Sequence, residues 1–251
     1  MNLKNPLACI LIPAFRPDYF EEALTSSCSQ DYVNKDILIS DDSSSNEIFE
    51  ICERIRSQHP NVRILYKKNS VPLGEIGSTQ MLIDAARGDY IQILHDDDIL
   101  VTSALSTFMK LITRHENVSI IATPKFLIND TSRVTDISGN YFKTNRMLSG
   151  RSVAYATLMR NGEIKHIGEP SHFFFKKSSL LQSSRVINMY EDVYVTIGFD
   201  KLIAYKLLLT GDFIFYATPL SHRRIHSKQS VRDPDVKIEG IECLKQIRLI
   251  V

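Results

Sequence analysis

In the first 124 residues, short runs of β-forming residues alternate with segments whose apolar side chains recur at helical spacing. Strands joined through helices in this way form right-handed βαβ units, and their strands lie parallel in one sheet. We therefore predict an α/β fold with a mostly parallel, Rossmann-like central sheet flanked by helices. The predicted strands are 8–12, 36–40, 62–66, 90–94 and 119–122.

Beyond residue 124 the alternation loosens into polar, turn-like segments. Helices are predicted over 149–160, 193–209 and 236–249, and strands over 172–176 and 213–217. The composition shows no break that would mark a linker. We therefore expect a single domain over residues 1–251.

Composition and charge exclude several classes of protein. The 30 Lys and Arg residues nearly balance the 29 Asp and Glu residues, so a net charge of +1 gives no support for a nucleic-acid partner. The N-terminal residues lack the apolar stretch of a signal peptide, and no apolar run is long enough to span a bilayer. Four cysteines without a C-x-x-C pair predict free thiols in a reducing compartment. We expect a cytoplasmic protein, with peripheral attachment at the inner face of the plasma membrane left open.

Open parallel sheets bind ligands beyond the carboxyl ends of their strands, which directs attention to the residues that follow each predicted strand. Asp41 and Asp42 follow the second strand directly. They could cap the next helix, or their carboxylates could accept hydrogen bonds from the base or ribose of a nucleotide. Both interpretations stay open at this point.

Three consecutive carboxylates, Asp96, Asp97 and Asp98, follow the fourth predicted strand. Like charges at this spacing repel one another unless solvent or a cation relieves them. Oxygen ligands of this kind suit Mg²⁺ or Mn²⁺, which commonly bind carboxylates together with substrate phosphates. The cluster indicates a metal–diphosphate site, and a solvated helix start is the alternative.

Two later segments carry further candidates. Glu191 and Asp192 are either a helix cap or the source of a general base, a carboxylate that takes a proton from an attacking hydroxyl. The segment 221–226 contains two arginines and two histidines, which could supply positive charge and an imidazole to a diphosphate or its metal. A solvated basic loop is the alternative interpretation of that segment.

Together these segments resemble the family 2 glycosyltransferases, and the resemblance extends over nearly the whole chain. Each motif is weak alone, but their order and spacing are shared. The matching segments are the strand and turn ending in Pro13, Ala14 and Phe15, the Asp41–Asp42 turn, Asn69 with Gly74, the acidic cluster with His95 at the first acid's usual place, the loop from Gly168 to Ser171, the Glu191–Asp192 pair, and Arg224-x-His226 followed by Ser230.

The resemblance implies a GT-A fold and an inverting transfer that uses a nucleotide diphosphate sugar, with UDP- and dTDP-sugars favoured. It also implies Mn²⁺ or Mg²⁺ as cofactor and a glycan or lipid-linked glycan as acceptor, in bacterial surface polysaccharide synthesis. Residues from about 1 to 124 would bind the nucleotide sugar, and residues from about 125 to 251 would bind the acceptor and carry the catalytic base.

The same resemblance implies a role for each matching residue. Asp192 is the expected catalytic base beside Glu191, and Asp97, Asp98 and His226 are the expected metal ligands. The register of the acidic motif stays open, because Asp96 and Asp98 are an alternative pair. The expected nucleotide-sugar contacts are Pro13, Ala14, Phe15, Asp41, Asp42, Asn69, Gly74, Asp96 and Arg224.

Two other functions fit parts of this pattern. A non-catalytic nucleotide-sugar-binding or scaffold protein could retain the fold without turnover. A nucleotidyltransferase is also α/β and metal-dependent, but the segment after the first strand lacks the glycine-rich, basic loop that a triphosphate needs.

The predicted helix 236–249 could face a membrane or pack on the domain. The sequence does not indicate an oligomeric state.

Overall fold

A computed structural model describes residues 5–158, 167–190, 193–195 and 198–227. The strands, in chain order, are β1 (Ala8–Ala14), β2 (Lys35–Asp41), β3 (Arg63–Lys68), β4 (Tyr90–Ile93), β5 (Ile99–Leu100), β6 (Val118–Ala122), β7 (Lys125–Ile128), β8 (Val134–Ser138), β9 (Arg146–Leu148), β10 (Phe173–Lys176), β11 (Met189–Tyr190), β12 (Val193–Tyr194), β13 (Asp212–Phe215) and β14 (Ser221–Arg224). The helices are α1 (Phe20–Cys28), α2 (Glu47–Gln58), α3 (Gly74–Ala85), α4 (Ala104–Ile112), α5 (Gly150–Leu158), α6 (Lys177–Leu180) and α7 (Phe199–Thr210).

The central sheet has eight strands in the order β3-β2-β1-β4-β10-β6-β13-β9. Strands β1 to β4 are mutually parallel, and β6 and β13 run in the same direction. Strand β10 lies antiparallel between β4 and β6, and β9 is antiparallel to β13. The predicted α/β fold with a mostly parallel central sheet is confirmed.

Apolar side chains cover both faces of this sheet, as an uninterrupted apolar run predicts for a doubly covered strand. In β1, Cys9 and Leu11 belong to one buried cluster, and Ile10 and Ile12 belong to a second cluster on the opposite face. Helix α3 contacts β1 and β2 from the first face, and α1 packs with α2 on the second. This packing fixes the carboxyl ends of the strands at one edge.

A second sheet of four strands, in the order β5-β14-β7-β8, was not predicted. Three of its strands lie beyond residue 124, where the apolar alternation loosens, and β8 is largely exposed. Its strands join segments far apart in sequence: β14 pairs with β5 on one side and with β7 on the other. Long-range pairing of this kind leaves no local periodic signal.

The helix predicted over 193–209 is wrong at its start, because α7 begins at Phe199. Val193 and Tyr194 instead form β12, which pairs antiparallel with β11. Gly198, with φ of +77°, precedes the helix in a left-handed conformation that glycine adopts without steric cost. The helix predicted over 149–160 is found as α5, and the helix predicted over 236–249 lies outside the described residues.

Cys9, Cys28 and Cys52 are buried free thiols, as predicted, and Cys243 lies outside the described residues. Burial raises the pKa of Cys28 to about 11 and that of Cys52 to about 12. Among the helices that the structure describes, none combines the length and apolarity needed to cross a membrane.

Lys206 on α7 is fully buried, and its ammonium donates hydrogen bonds to the carbonyls of Ser184, Val186 and Met189. Replacing Lys206 with Met would leave these buried carbonyls without a donor. We expect Lys206→Met to lower the free energy of unfolding by about 2 kcal/mol, measured by urea denaturation. Lys110→Met, at an exposed position of α4, is the control and is expected to change it by less than about 0.5 kcal/mol. Equal effects of the two substitutions would contradict this role.

Candidate active site

The candidate residues of the first half meet at one edge of the central sheet. Asp42 follows β2, Phe15 follows β1, and the segment 95–98 follows β4. Because β10 is antiparallel to β4, its first residues, rather than its last, reach the same edge. The turns after β1 and β2, the segment after β4 and the start of β10 are therefore brought together, although they are far apart in the chain.

Asp41 is fully buried and already bound by protein groups. One carboxylate oxygen accepts the Ser43 backbone N–H at 2.7 Å. The other oxygen accepts the Tyr66 hydroxyl at 2.7 Å and the Lys68 ammonium at 3.0 Å. Burial and this bond to Asp41 raise the pKa of Tyr66, so its hydroxyl stays protonated as the donor. These contacts hold the turn after β2 in place.

Asp42 connects that turn to the start of α3. Its carboxylate accepts bonds from the Asn69 amide at 2.7 Å, the Ser78 hydroxyl at 3.0 Å and the Leu73 backbone N–H at 3.1 Å. Gly74, the first residue of α3, has φ of +69°, which glycine tolerates best. The structure thus groups Asp41, Asp42, Asn69 and Gly74, and their contact with a nucleotide stays a prediction.

The turn after β1 lies beside this group. Pro13 and Ala14 end the strand, and the Ala14 carbonyl accepts the Asp42 N–H at 2.9 Å. Phe15 is 59% exposed, so its ring is available to a ligand. The carboxylate of Asp96 accepts the backbone N–H groups of Phe15 at 2.7 Å and Arg16 at 2.9 Å. Asp96 therefore ties the loop after β4 to the turn after β1.

Asp97 and Asp98 form a separate cluster together with His95. One ligand atom from each of these three residues lies within 4.8 Å of the others. The imidazole of His95 lies 3.8 Å from the carboxylate of Asp98 and 3.3 Å from that of Glu75. Since Asp96 is bonded to the neighbouring turn, the arrangement favours the register with Asp97 as a ligand and His95 at the place of the first acid. His95 was not among the predicted ligands.

The electrostatics of the cluster suit a divalent cation. Burial, followed by the charge of Asp97, raises the pKa of Asp98 to about 7. Desolvation acts to lower the pKa of His95, but the carboxylates of Glu75, Asp98 and Asp97 outweigh it and raise that pKa to about 10. Two carboxylates and one imidazole are a donor set that fits Mn²⁺, and the carboxylates also fit Mg²⁺.

These pKa values predict how metal affinity depends on pH. A metal binds the deprotonated ligands, so protons on His95 and Asp98 compete with it. We expect the affinity for Mn²⁺ alone to rise by about tenfold or more for each pH unit between 6 and 8, measured from free Mn²⁺ by electron paramagnetic resonance. His95→Gln is expected to reduce this slope. An affinity that does not change over this pH range would contradict the cluster as the metal site.

His226 and Arg224 approach the acidic cluster from β14 and the residues after it. The imidazole of His226 lies 3.0 Å from the carboxylate of Asp97, and its ring packs against Tyr19. His226 is therefore placed where it could bind a metal or orient Asp97. The structure brings it to the predicted site, and its role as a ligand stays a prediction.

Arg224 is fully buried and hydrogen-bonds the loop that carries the acidic cluster. Its guanidinium donates to the carbonyl of Asp97 at 3.1 Å, and its backbone N–H donates to the carboxylate of Asp98 at 3.1 Å. The same guanidinium pairs with Glu22 at 3.1 Å and lies 4.1 Å from the centre of the Tyr19 ring. These contacts describe a residue that positions the cluster, and its predicted contact with the nucleotide sugar stays a prediction.

Glu191, Asp192 and Ser230 lie outside the described residues. The strands that flank the first two, β11 and β12, pair with each other. Just beyond them, Asn188 and Val195 exchange hydrogen bonds of 2.8 Å in both directions. The assignment of Asp192 as catalytic base, with Glu191 beside it, stays a prediction.

Solved structures share this fold over almost the whole chain. The S. aureus TarS fragment 1–349 superposes with a TM-score of 0.71, at 15% identity over 97% of this chain and 65% of that one. The mannosyltransferase PcManGT from Pyrobaculum calidifontis, in complex with GDP-Man and Mn²⁺, has a TM-score of 0.66, at 14% identity over 97% of this chain and 64% of that one. These similarities place the chain in the GT-A fold.

Two curated bacterial relatives are similar in sequence. A Campylobacter jejuni GalNAc(5)-diNAcBac-PP-undecaprenol β-1,3-glucosyltransferase is 29% identical over 106 residues, which are 42% of this chain and 34% of that enzyme. The Escherichia coli UDP-Glc:α-D-GlcNAc-diphosphoundecaprenol β-1,3-glucosyltransferase WfaP is 34% identical over 101 residues, which are 40% of this chain and 39% of that enzyme. The aligned regions thus span little more than a third of either relative.

The family model described as glycosyl transferase family 2 matches residues 9–181. The matched region begins in β1, contains the acidic cluster after β4, and ends just after α6. It therefore includes β1, β2, β4 and the start of β10, which form the sheet edge described above, whereas β14 of the second sheet lies outside it. On this match, and on a fold and an acidic cluster that agree with it, the chain belongs to glycosyl transferase family 2.

Proposed function

We propose that the protein is an inverting, metal-dependent glycosyltransferase that moves a sugar from a nucleotide diphosphate sugar to a hydroxyl of a glycan or lipid-linked glycan. The observation that carries this proposal is the convergence of His95, Asp97 and Asp98 at the carboxyl end of β4. The names of both curated relatives support a lipid-diphosphate acceptor, and one of them names a UDP-sugar donor. We also propose a role in bacterial surface polysaccharide synthesis, which rests on the same likeness.

We propose an orientation of the donor on the basis of the order of groups along the sheet edge. We propose that the base and ribose lie at the exposed ring of Phe15 and the Asp41–Asp42 turn, because the ring is open to stacking and the negative charge of the turn repels phosphate. The diphosphate then lies at the neighbouring position, next to Asp97 and Asp98. A divalent cation bound there would supply positive charge that offsets the charge growing on the departing nucleoside diphosphate.

In the proposed reaction, Asp192 takes the proton from the acceptor hydroxyl, whose oxygen attacks the anomeric carbon. The bond from that carbon to the diphosphate oxygen breaks as the new glycosidic bond forms, so one in-line displacement inverts the anomeric configuration. Asp96 and Arg224 hold the loop that carries the acidic cluster in place throughout. We propose that the enzyme works in the cytoplasm, at the inner face of the membrane when its acceptor is lipid-linked.

A thermal-shift screen with and without Mn²⁺ tests this function. UDP-glucose, UDP-N-acetylglucosamine, dTDP-glucose and GDP-mannose are the donors, because a ligand that binds only the folded state stabilises it by mass action. We expect at least one donor to stabilise the protein by about 2.7 kcal/mol at a hundred times its Kd, and only when Mn²⁺ is present. The proposal is refuted if none of these donors raises the stability of the protein in the presence of Mn²⁺.

A further inference from the structure

The loop before β10 carries an ion cluster that the proposed chemistry does not use. Glu169 pairs with the ammonium of Lys125, and its other oxygen lies 3.0 Å from the guanidinium of Arg223. The imidazole of His172 lies 3.3 Å from the same carboxylate and 2.7 Å from the Ser221 hydroxyl. The loop resembles one found in family members, but neither the sequence nor the family match assigns a task to this cluster.

The charges of this cluster are fixed near neutral pH. Burial would raise the pKa of Glu169, but His172, Lys125 and Arg223 together lower it well below its usual range, so the carboxylate stays ionised. Burial and the charge of Lys125 lower the pKa of His172 to about 3, so the imidazole is neutral. Burial lowers the pKa of Lys125, and the carboxylate of Glu169 partly offsets this, so the fixed charges of the cluster are those of Glu169 and Arg223.

This ion cluster is partly open to solvent. The side chains of Glu169 and Arg223 are 28% and 23% exposed, whereas Lys125 and His172 are buried beneath them. The Glu169 oxygen that faces Arg223 is paired with that guanidinium and has acceptor capacity for a hydroxyl group, and a guanidinium carries five N–H donors. A fixed acceptor and a fixed donor therefore stand side by side, which is the pattern needed to bind neighbouring hydroxyl groups.

The ion cluster is also connected directly to the acidic cluster. Ser171, two residues after Glu169, accepts the His95 backbone N–H at 3.0 Å. On the other side, Arg223 precedes Arg224, whose backbone N–H donates to Asp98 at 3.1 Å. Both exposed members of the ion cluster are thus within two residues of a group that hydrogen-bonds a member of the acidic cluster.

Strand order places the ion cluster on the side of the diphosphate that is away from the base. Along the edge, the turns after β2 and β1 come first, then the acidic loop after β4, then the start of β10 with Glu169, and then the end of β6 near Lys125. A nucleotide sugar whose base lies at the first two turns and whose diphosphate lies at Asp97 and Asp98 places its sugar next in this series.

We infer, on the basis of the proposed function, that Glu169 and Arg223 bind hydroxyl groups of the donor's hexosyl residue and thereby determine which sugar the enzyme accepts. The hydrogen bond from Lys125 holds Glu169 in the orientation that this requires, and the imidazole of His172 packs 3.3 Å from the same carboxylate. The inference is specific to the sugar: the nucleoside diphosphate alone makes no contact with either side chain.

Isothermal titration at saturating Mn²⁺ tests the inference, with UDP, UDP-glucose and UDP-N-acetylglucosamine, and with GDP and GDP-mannose, as ligands. For Arg223→Gln and Glu169→Gln, we expect affinity for the parent diphosphate to stay within about twofold of wild type. Affinity for the preferred nucleotide sugar is expected to fall by about tenfold or more, the usual effect of losing a hydrogen bond to a charged group. Arg54→Gln is the matched control, because Arg54 forms an exposed ion pair with Glu21 on α1 and is expected to change neither affinity.

The outcomes separate this inference from the proposed function. If the wild type binds none of these nucleotides, the proposed function fails. If the wild type binds them and both variants bind sugar and diphosphate as the wild type does, or lose both equally, the sugar contact is refuted. Should Glu169→Gln not fold, Arg223→Lys provides the second test: it keeps the charge beside Glu169 but loses the planar donors, and a nucleotide-sugar affinity equal to wild type would overturn the inference.

Discussion

Replacing Asp192 with Asn is expected to lower the rate of sugar transfer by about 10²–10⁴-fold while leaving donor affinity within about twofold of wild type. The amide keeps the size of the side chain but cannot take the proton from the acceptor hydroxyl. The donor is proposed to bind at the sheet edge without help from Asp192. We therefore expect the substitution to lower kcat and to leave donor affinity nearly unchanged. Steady-state transfer kinetics and calorimetric donor titration measure the two effects separately.

Asp136→Asn is the control for this substitution, because Asp136 is exposed on β8. It makes the same chemical change away from the sheet edge, and both its transfer rate and its donor affinity are expected to match wild type. Near-normal transfer by Asp192→Asn would refute Asp192 as the base. A parallel loss of donor affinity would instead indicate a role in binding.

Replacing Asp97 with Ala is expected to weaken Mn²⁺-dependent donor binding by about 100-fold or more. Outer-shell substitutions at metal sites already cost about 10–100-fold, and this change removes a proposed ligand. His226→Gln, which changes the imidazole 3.0 Å from that carboxylate, is expected to cost about tenfold. Titration of each variant with donor and Mn²⁺ gives both numbers.

The stability of the Asp97→Ala variant without metal distinguishes a lost ligand from damaged packing. Asp97 raises the pKa of the buried Asp98 by repulsion, so removing it relieves an unfavourable interaction that offsets the lost contacts with His95 and His226. We expect the melting temperature without metal to be equal to or above that of wild type. Asp31→Ala, in an exposed loop, is the control for both measurements. If Asp97→Ala binds donor and Mn²⁺ with the affinity of wild type, Asp97 is not a ligand of the metal.

The sequence allowed the central sheet to be predicted where apolar periodicity decides local structure. Strands β1 and β4 lie close to the predicted segments, because their side chains are mostly apolar and buried. The insertion of β10 between β4 and β6 could not be predicted in the same way. Its apolar run predicted a strand, but its direction and neighbours depend on contacts across more than fifty residues.

The acidic cluster was predicted because its residues are adjacent in sequence. His95 was not predicted as a member of this candidate metal site. Its position, where the first acid of the family motif usually stands, could have indicated it. The ion cluster around Glu169 gave no signal of its own, because Lys125 and Arg223 reach it from strands β7 and β14. The burial of these side chains and the balance of their charges depend on the folded structure and cannot be predicted from the local sequence.

Anomalous diffraction at the manganese edge, from crystals grown with Mn²⁺ and UDP, tests the central claim most directly. We predict one strong peak between the carboxylates of Asp97 and Asp98, with the UDP diphosphate against it and the base at the Asp41–Asp42 turn. A peak elsewhere, or UDP bound away from the end of β4, would contradict the proposed metal–diphosphate site.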